Sequence, residues 1–232
     1  MRKELGFALA GIVFASVANA TSFIIDPFAD TQQLTTSNSS NVAGVDLIGG
    51  NRFASITRTS GGLSDSLNIN VPTTDILDLS MAATDSSDMR LLYDGTSNTT
   101  GVNAFGLTGI DFTQLGTLSL IRISLESDHA NSLTMKVYTD ATNFSTAIVN
   151  YTNDPFFNNY DTPFTSFVAT GTGADFTNVK AFEVTISGVP QQDSQMGFIS
   201  AEANATPEPS TMLLLGGGLV GLGVFSRRRR RS

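Results

Sequence analysis

The sequence contains no cysteine and no tryptophan, and it has a single histidine, His129. Without cysteine the chain cannot form disulfides, thiolate zinc sites, iron–sulfur clusters or thiol nucleophiles. An exported domain of this size does not need disulfides, and their absence favours a bacterial exported protein over a eukaryotic secreted one. The missing tryptophan argues against a sugar-cleaving cleft, because such clefts usually stack their sugars on aromatic rings. The aromatic residues that remain are 16 phenylalanines and 4 tyrosines.

Positive charge is scarce in the middle of the chain. Of the 13 lysines and arginines, seven lie within residues 1–3 and 227–231, whereas only Glu4 and Glu208 of the 21 acidic residues lie outside residues 21–206. The middle therefore has 19 acidic and 6 basic residues, a net charge of −13. A surface of this charge repels phosphate backbones, so we expect no nucleic-acid partner.

The first twenty residues have the pattern of a secretory signal peptide. Arg2 and Lys3 form a short basic region, Leu5–Val17 is apolar, and Ala18 and Ala20 form a small-x-small cleavage site. We expect the Sec machinery to export the chain. Signal peptidase then leaves Thr21 as the mature N-terminus.

The C-terminal end combines three features that are typical of a membrane segment. A Pro-Glu-Pro triplet with a following serine precedes the apolar run Met212–Phe225, and an arginine block ends the chain. Fourteen residues of helix span about 21 Å, short of the ~30 Å hydrocarbon core, but arginines can extend to the interface. Clustered arginines act as a stop-transfer signal that keeps the C-terminus in the cytoplasm. The members of the block are Arg227, Arg228, Arg229, Arg230 and Arg231.

Residues 206–232 resemble the PEP-CTERM sorting domain of Gram-negative bacteria that make extracellular polysaccharide. The resemblance lies in the order and spacing of the triplet, the glycine-rich apolar helix and the arginine block. It implies recognition by an exosortase-like enzyme at a sorting motif made of Pro207, Glu208, Pro209 and Ser210. It also implies an inner-membrane intermediate, removal of the tail, and transfer to the cell surface or extracellular matrix, where biofilm polysaccharide is found.

Residues 21–205 alternate apolar and polar side chains with the period of two that predicts β-strands. The clearest strands are Thr117–Leu125, Leu133–Tyr138 and Val179–Ile186. Shorter strands are predicted at Ser22–Asp26, Val42–Ile48, Phe53–Thr59, Leu67–Val71, Met89–Tyr93, Ala147–Tyr151, Phe164–Ala169 and Met196–Ala201. Thr31–Asn41 is predicted to be a loop or an entry strand. Because no convincing helical face occurs, we predict an all-β domain: a single antiparallel β-sandwich, jelly-roll-like.

Short motifs within this domain also resemble a group of PEP-CTERM proteins. The motifs are DPF at 26–28 with Gln33, GGNR at 49–52, LLYDG at 91–95 and GLTGIDFT at 106–113. The resemblance covers most of residues 26–186 and implies one β-sandwich of unassigned function. It says nothing about a ligand.

The sequence contains no recognisable catalytic motif. His129 lies in a loop, no Gly-x-Ser-x-Gly elbow marks an activated serine, and a histidine-based metal site needs more than one histidine. We interpret His129 as a solvated loop residue and expect no catalytic residue. The many carboxylates could supply the pair that a glycosidase requires, and the tyrosines could replace tryptophan in part. Those tyrosines are Tyr93, Tyr138, Tyr151 and Tyr160.

Calcium is the one cofactor with a candidate site. Jelly-roll carbohydrate-binding domains often hold a structural Ca²⁺ through aspartates and backbone carbonyls near their terminal strands. Asp26, Asp30, Asp46 and Asp193 lie on or beside predicted strands of that kind. No EF-hand spacing is present, so acidic turn residues that keep the domain soluble are the alternative interpretation.

The sequence therefore favours a non-enzymatic exported surface or matrix protein, sorted through its tail and associated with the envelope or with extracellular polysaccharide. A carbohydrate-binding module, with or without Ca²⁺, is the second hypothesis, and a glycan hydrolase is the third. An exposed cleft lined by two or more tyrosines would favour the second hypothesis. Two carboxylates about 5–10 Å apart in such a cleft would favour the third.

Overall fold

A computed structural model describes residues 22–96 and 101–204. The predicted signal peptide at residues 1–20 and the predicted sorting tail at residues 206–232, with its triplet and arginine block, lie outside the described residues. The domain boundaries at these ends stay predictions. Within the two described ranges, no helix has the length and apolar character that a membrane span requires.

The described chain forms fourteen β-strands and two 3₁₀ helices, Ile48–Gly50 and Phe164–Ser166. The strands, in chain order, are β1 (Phe23–Asp26), β2 (Gln32–Thr35), β3 (Asn38–Ala43), β4 (Asn51–Ser60), β5 (Ser66–Ile69), β6 (Leu77–Ser80), β7 (Ser86–Tyr93), β8 (Leu120–Ser127), β9 (Asn131–Tyr138), β10 (Phe144–Tyr151), β11 (Asp154–Pro163), β12 (Val168–Thr170), β13 (Ala181–Ser187) and β14 (Asp193–Glu202).

Two antiparallel sheets pack face to face. Sheet A has the spatial order β11-β8-β14-β6-β5-β2, with β1 paired to β14, and sheet B has the order β12-β10-β9-β13-β7-β4-β3. Ile121, Ile123 and Leu125 of β8 point into the same hydrophobic cluster as alternate residues of β9, such as Met135 and Val137. Each such buried side chain contributes about 1.5–3 kcal/mol. The predicted all-β, jelly-roll-like sandwich is confirmed.

Three predicted segments differ from the structure. Thr31–Asn41, predicted to be a loop or an entry strand, contains two strands, β2 and most of β3, and Val42–Ile48 leaves the strand after Ala43. The apolar residues of that segment resemble a strand, but the chain turns at Val45 and Asp46, and Val45 is 97% exposed. Phe164–Ala169 begins as a 3₁₀ helix, and its strand starts only at Val168. Strands β6 and β11 were not predicted.

The first and last strands of the sandwich lie side by side. β1 pairs with β14 in antiparallel register, with Phe23 opposite Ala201 and Ile24 opposite Ser200. The chain therefore enters and leaves the sheet at neighbouring positions.

The turn between β9 and β10 depends on Asp140. One carboxylate oxygen accepts hydrogen bonds from the Thr142 and Asn143 backbone N–H groups, at 2.8 and 2.9 Å, and the other accepts one from Asn143 Nδ2 at 2.7 Å. The Asn143 side chain, followed by the Thr142 backbone and side chain, lowers the pKa of Asp140 from 3.8 to about 2. The ionised carboxylate is therefore a stabilising part of the turn.

Replacing Asp140 by alanine is expected to lower the stability of the protein at pH 7. Because the folded-state pKa lies below the ordinary value, the stabilisation is fully present above pH 3.8 and is lost as the pH falls through about 2. The melting temperatures of variant and wild type should therefore converge between these two pH values. A difference that is as large at pH 2 as at pH 7 would contradict the role given to the ionised carboxylate.

Candidate functional site

Three of the four motifs of the β-domain meet in one buried polar cluster. Arg52 of the GGNR motif is fully buried and donates from Nη1 to Asp26 Oδ2 of the DPF motif at 2.8 Å. Tyr93 of the LLYDG motif donates its hydroxyl to the same carboxylate oxygen at 2.6 Å. The remaining Arg52 donors reach Gln32 Oε1 at 3.0 Å and the Asp30 carbonyl at 2.7 Å. Each nitrogen of the Arg52 guanidinium therefore donates at least one hydrogen bond.

The surroundings of this cluster are apolar and charge-balanced. The Arg52 guanidinium also lies 5.8 Å from the centre of the Phe28 ring. Burial raises the pKa of Asp26 against the opposing effect of the Arg52 charge, and burial together with Asp26 raises the pKa of Tyr93 far above its usual value. A fully enclosed ion pair has no path to a ligand, so this cluster is structural.

Glycines allow the motif loops to approach one another. A Cβ atom on Gly106 would lie 1.5 Å from the Asp94 carbonyl oxygen, which no side chain permits. Asp94 in turn accepts a hydrogen bond from the Asn103 backbone N–H at 2.8 Å, tying the LLYDG segment to the long β7–β8 connection. The short motifs thus mark the packing of the sandwich.

The four calcium candidates are not brought together. Asp26 forms an ion pair with Arg52. The Asp30 carboxylate packs against Gly44, and a Cβ atom on that glycine would lie 1.8 Å from Asp30 Oδ2. Asp46 and Asp193 are exposed. The backbone N–H of Asp193, the first residue of β14, donates a hydrogen bond to Asp128 Oδ1 at the β8–β9 turn. Among residues 22–96 and 101–204, no three histidine, aspartate or glutamate side chains are grouped as a metal site requires.

The histidine and the tyrosines also take structural positions. His129 Nδ1 lies 2.8 Å from Asp128 Oδ1 at an exposed turn. Tyr93, Tyr138 and Tyr151 are buried, and Tyr160 is half-buried against the core. The described residues therefore provide no exposed tyrosine-lined cleft, which was the feature expected of a carbohydrate-binding module. The exposed rings of the domain belong to phenylalanines.

A continuous row of polar side chains crosses the outer face of sheet A. Its members sit directly opposite one another on five neighbouring strands, because their neighbours in sequence point into the core. We call these residues the polar row: Gln33, Asn68, Asp78, Gln195 and Glu126. Facing Cβ atoms on adjacent strands are about 4.5–5.5 Å apart, so their side chains interact.

Long hydrogen bonds link neighbouring members of the polar row. Gln33 Nε2 donates to Asn68 Oδ1 at 3.4 Å, and Gln195 Nε2 donates to Asp78 Oδ1 at 3.3 Å. At the Glu126 end, the row adjoins a cavity of about 160 Å³ that is also lined by Asp193. The row therefore presents amide and carboxylate groups to solvent in a fixed order.

The carboxylates of the row carry unbalanced negative charge. Burial, and then the nearby Asp193 carboxylate, raises the pKa of Asp78, although hydrogen bonds from Gln195 and Asn68 oppose the change. Burial and the charge of Asp154 raise the pKa of Glu126. A ligand that donates hydrogen bonds to these groups would relieve the cost of keeping them ionised.

One aromatic ring lies beside the polar row on the same face. A Cβ atom on Gly197 would lie 3.6 Å from Phe157 Cε1 and 3.5 Å from Ser124 Oγ, an outer-face atom. The Phe157 ring therefore lies next to the glycine, and 41% of the residue stays exposed. Irregular pairing at Asp154–Asn158 and at Met196–Phe198 creates this arrangement. The result is an aromatic platform next to hydrogen-bonding groups.

Sequence reasoning missed most of this face. Asp78 and Phe157 lie on the two strands that were not predicted, and only Gln33 was included in a motif. The alternation Leu77-Asp78-Leu79-Ser80 could have revealed β6, but four residues give a short signal. No residue pattern predicts which polar side chains share a row, because that depends on strand register.

A family model for the PEP-CTERM protein-sorting motif matches residues 205–231. The chain is a PEP-CTERM domain-containing protein. The motif indicates an exported, membrane-passing protein that is processed by an exosortase-like enzyme. This confirms the resemblance on which the sorting tail was predicted. No curated protein matches this PEP-CTERM chain in sequence.

Solved structures similar to this PEP-CTERM protein include carbohydrate-binding modules. The family 11 module from Clostridium thermocellum, in complex with a β-1,3-1,4-mixed-linked tetrasaccharide, has 12% identity and a TM-score of 0.40, covering 80% of this chain and 96% of that one. The family 30 module of cellulosomal cellulase Cel9D-Cel44B of Clostridium thermocellum has 11% identity and a TM-score of 0.43, covering 80% and 99%. TM-scores below 0.5 do not establish a shared function.

Proposed function

We propose that this protein is a non-enzymatic component of the cell surface or extracellular matrix that binds extracellular polysaccharide through the outer face of sheet A. The observation that carries the proposal is the polar row beside the exposed Phe157 ring. The route to the surface is Sec-dependent export, cleavage by signal peptidase after Ala20, an inner-membrane intermediate held by the C-terminal helix, and removal of the tail.

The chemistry of this face suits a sugar chain. Amides offer both donors and acceptors, and carboxylates offer acceptors, so together they can pair with the hydroxyl groups of successive sugars. The exposed face of Phe157 offers an apolar surface against which a sugar ring can pack. A few placed polar groups next to an aromatic surface are typical of small-ligand recognition.

The charge of the domain narrows the class of polysaccharide. The middle of the chain has a net charge of −13, and the polar row itself contains two carboxylates. A polymer rich in uronate, sulfate or phosphate would be repelled. Neutral and amine-bearing polysaccharides are the classes that this face accepts.

Binding can be tested with the exported protein and polysaccharide washed from the producing cells, together with neutral glucan, chitosan and alginate as probes of three charge classes. Phe157→Ala is expected to weaken binding about tenfold, the equivalent of about 1.4 kcal/mol. Gly197→Leu should act in the same direction, because the new side chain displaces the ring. Affinity electrophoresis measures both effects.

Phe105→Ala provides the matched control, since Phe105 is a 70% exposed phenylalanine in the β7–β8 connection. It should bind like the wild type. If Phe157→Ala also binds like the wild type, or if alginate binds more tightly than the neutral glucan, the proposed face is wrong.

A glycan hydrolase is the second candidate, for one reason. Asp78 and Glu126 lie on either side of Gln195 in the polar row, about 10 Å apart at two strand spacings. This is close to the carboxyl separation of about 6.5–9.5 Å in inverting glycosidases. Release of new reducing ends from a bound polysaccharide, abolished by Asp78→Asn, would establish a hydrolase and overturn the non-enzymatic role.

A further inference from the structure

The outer face of sheet B contains a cleft with a volume of about 330 Å³. Small polar residues make up most of its lining, with one aromatic ring and one guanidinium and no carboxylate: Ser37, Asn38, Ser39, Phe53, Ser55, Thr57 and Arg90. The lining differs from the rest of this acidic domain in having no aspartate or glutamate. Its hydroxyl, amide and guanidinium groups can pair with ligands that bring acceptor oxygens as well as donors.

Strand register continues the cleft across the sheet. Ser39 of β3, Ser55 of β4 and Arg90 of β7 are direct neighbours, and the same row runs on through Thr185 of β13 and Thr134 of β9. Apart from Arg90, the row consists of short hydroxyl side chains, which leave it shallow. It forms a track of hydrogen-bonding groups across five strands, on the side of the sandwich opposite the polar row.

Arg90, the middle residue of the row, is held in place by its neighbours. Arg90 Nε donates to Glu183 Oε1 at 3.1 Å, and its guanidinium lies 5.7 Å from the centre of the Phe53 ring. The Tyr138 hydroxyl donates to Glu183 Oε2, also at 3.1 Å. The guanidinium is thus held in one orientation before any ligand arrives, which reduces the entropy lost on binding.

We infer that this cleft and track form a second polysaccharide-binding surface, so that one molecule holds two chains and cross-links them. The inference rests on the proposed function of the first face. The hydrophobic core separates the two outer faces, so two bound chains do not compete for space. The occupant is the same polysaccharide, because hydroxyl groups can pair with serine and threonine here and with amides and carboxylates on the first face.

The test uses the exported protein and polysaccharide washed from the producing cells. Light scattering of the polysaccharide should rise when wild-type protein is added, and titration calorimetry should show two classes of site. Thr57→Tyr, at an exposed position in the cleft, should abolish the rise in scattering while about half of the binding capacity remains. Phe157→Ala should also prevent cross-linking. Asn150→Tyr, exposed on the same face but four strands away, is the matched control.

The outcomes separate this inference from the proposed function. If the wild type binds with one class of site, or if Thr57→Tyr cross-links as well as Asn150→Tyr does, the second surface is wrong and the first stands. If the wild type does not bind at all, both are wrong. Sedimentation of the wild type and of Thr57→Tyr, each without polysaccharide, shows whether either protein forms dimers. Cross-linking that persists in Thr57→Tyr together with dimeric sedimentation would assign the effect to dimers and overturn the inference.

Discussion

Replacing Arg52 by alanine is expected to lower the free energy of unfolding by about 3–5 kcal/mol. The substitution leaves Asp26 buried without a counter-charge, and it removes the donors to Gln32 and to the Asp30 carbonyl. It also empties a volume in the core, since Arg52 is the largest fully buried side chain. Domains of this kind have a total stability of about 5–15 kcal/mol, so the variant should unfold at much lower denaturant concentrations or fail to accumulate. Urea unfolding followed by circular dichroism measures the change.

Arg122→Ala is the control for the loss of an arginine ion pair. Arg122 Nε lies 2.6 Å from Asp161 Oδ1 in good geometry, but the two side chains are 26% and 41% exposed. Exposed pairs of this kind contribute about 0–1 kcal/mol, so this variant should unfold almost like the wild type. If the two variants lose equal stability, the buried cluster does not have the role assigned to it.

Replacing Pro207, Glu208 and Pro209 together by alanine is expected to stop processing without stopping export. The sequence predicts an extended segment here, since each of the two prolines fixes its own φ and disfavours helix at the residue before it. A processing enzyme can read such a segment just outside the membrane. The variant should lose its signal peptide normally and then accumulate in the inner membrane at the mass of the tail-bearing protein, as cell fractionation and mass spectrometry would show.

Replacing the five arginines by glutamine should fail in a different way. Without the stop-transfer charges, retention of the apolar run weakens, and full-length protein should be released toward the periplasm. If the triple-alanine variant instead reaches the surface at the normal mass, the triplet is only a linker. The two variants thus separate recognition of the triplet from anchoring by the apolar run.

Strands with a strict period of two were predictable from the sequence. β8, β9 and β13 alternate core residues with polar ones over six or more positions, and their place in the sandwich follows from that pattern. β3 and β11 were not predictable, since both are edge strands with exposed, largely polar sequences. Their backbones pair with a neighbouring strand, and such pairing does not require an alternation of apolar and polar residues in the sequence.

The candidate site was harder to predict from the sequence than the fold. Asp26, Arg52 and Tyr93 belong to motifs that the sequence analysis singled out, but their side chains are buried and hydrogen-bond to one another inside the core. Phe157 and Gln195 had no motif, because their position on one surface results from register and from two irregular strand pairings. Neither can be inferred from local sequence, so a binding face of this kind becomes visible only in three dimensions.

The pairing of β1 with β14 has a consequence for the timing of folding. Phe23 lies opposite Ala201, so the earliest part of the sandwich to leave the cytoplasm must wait for almost the last part. Contacts between residues so distant in sequence form late and slowly. Until β14 emerges, sheet A lacks the strand that links β8 to β6, and no partial fold can close it. The sandwich can therefore close only after β14 has been exported.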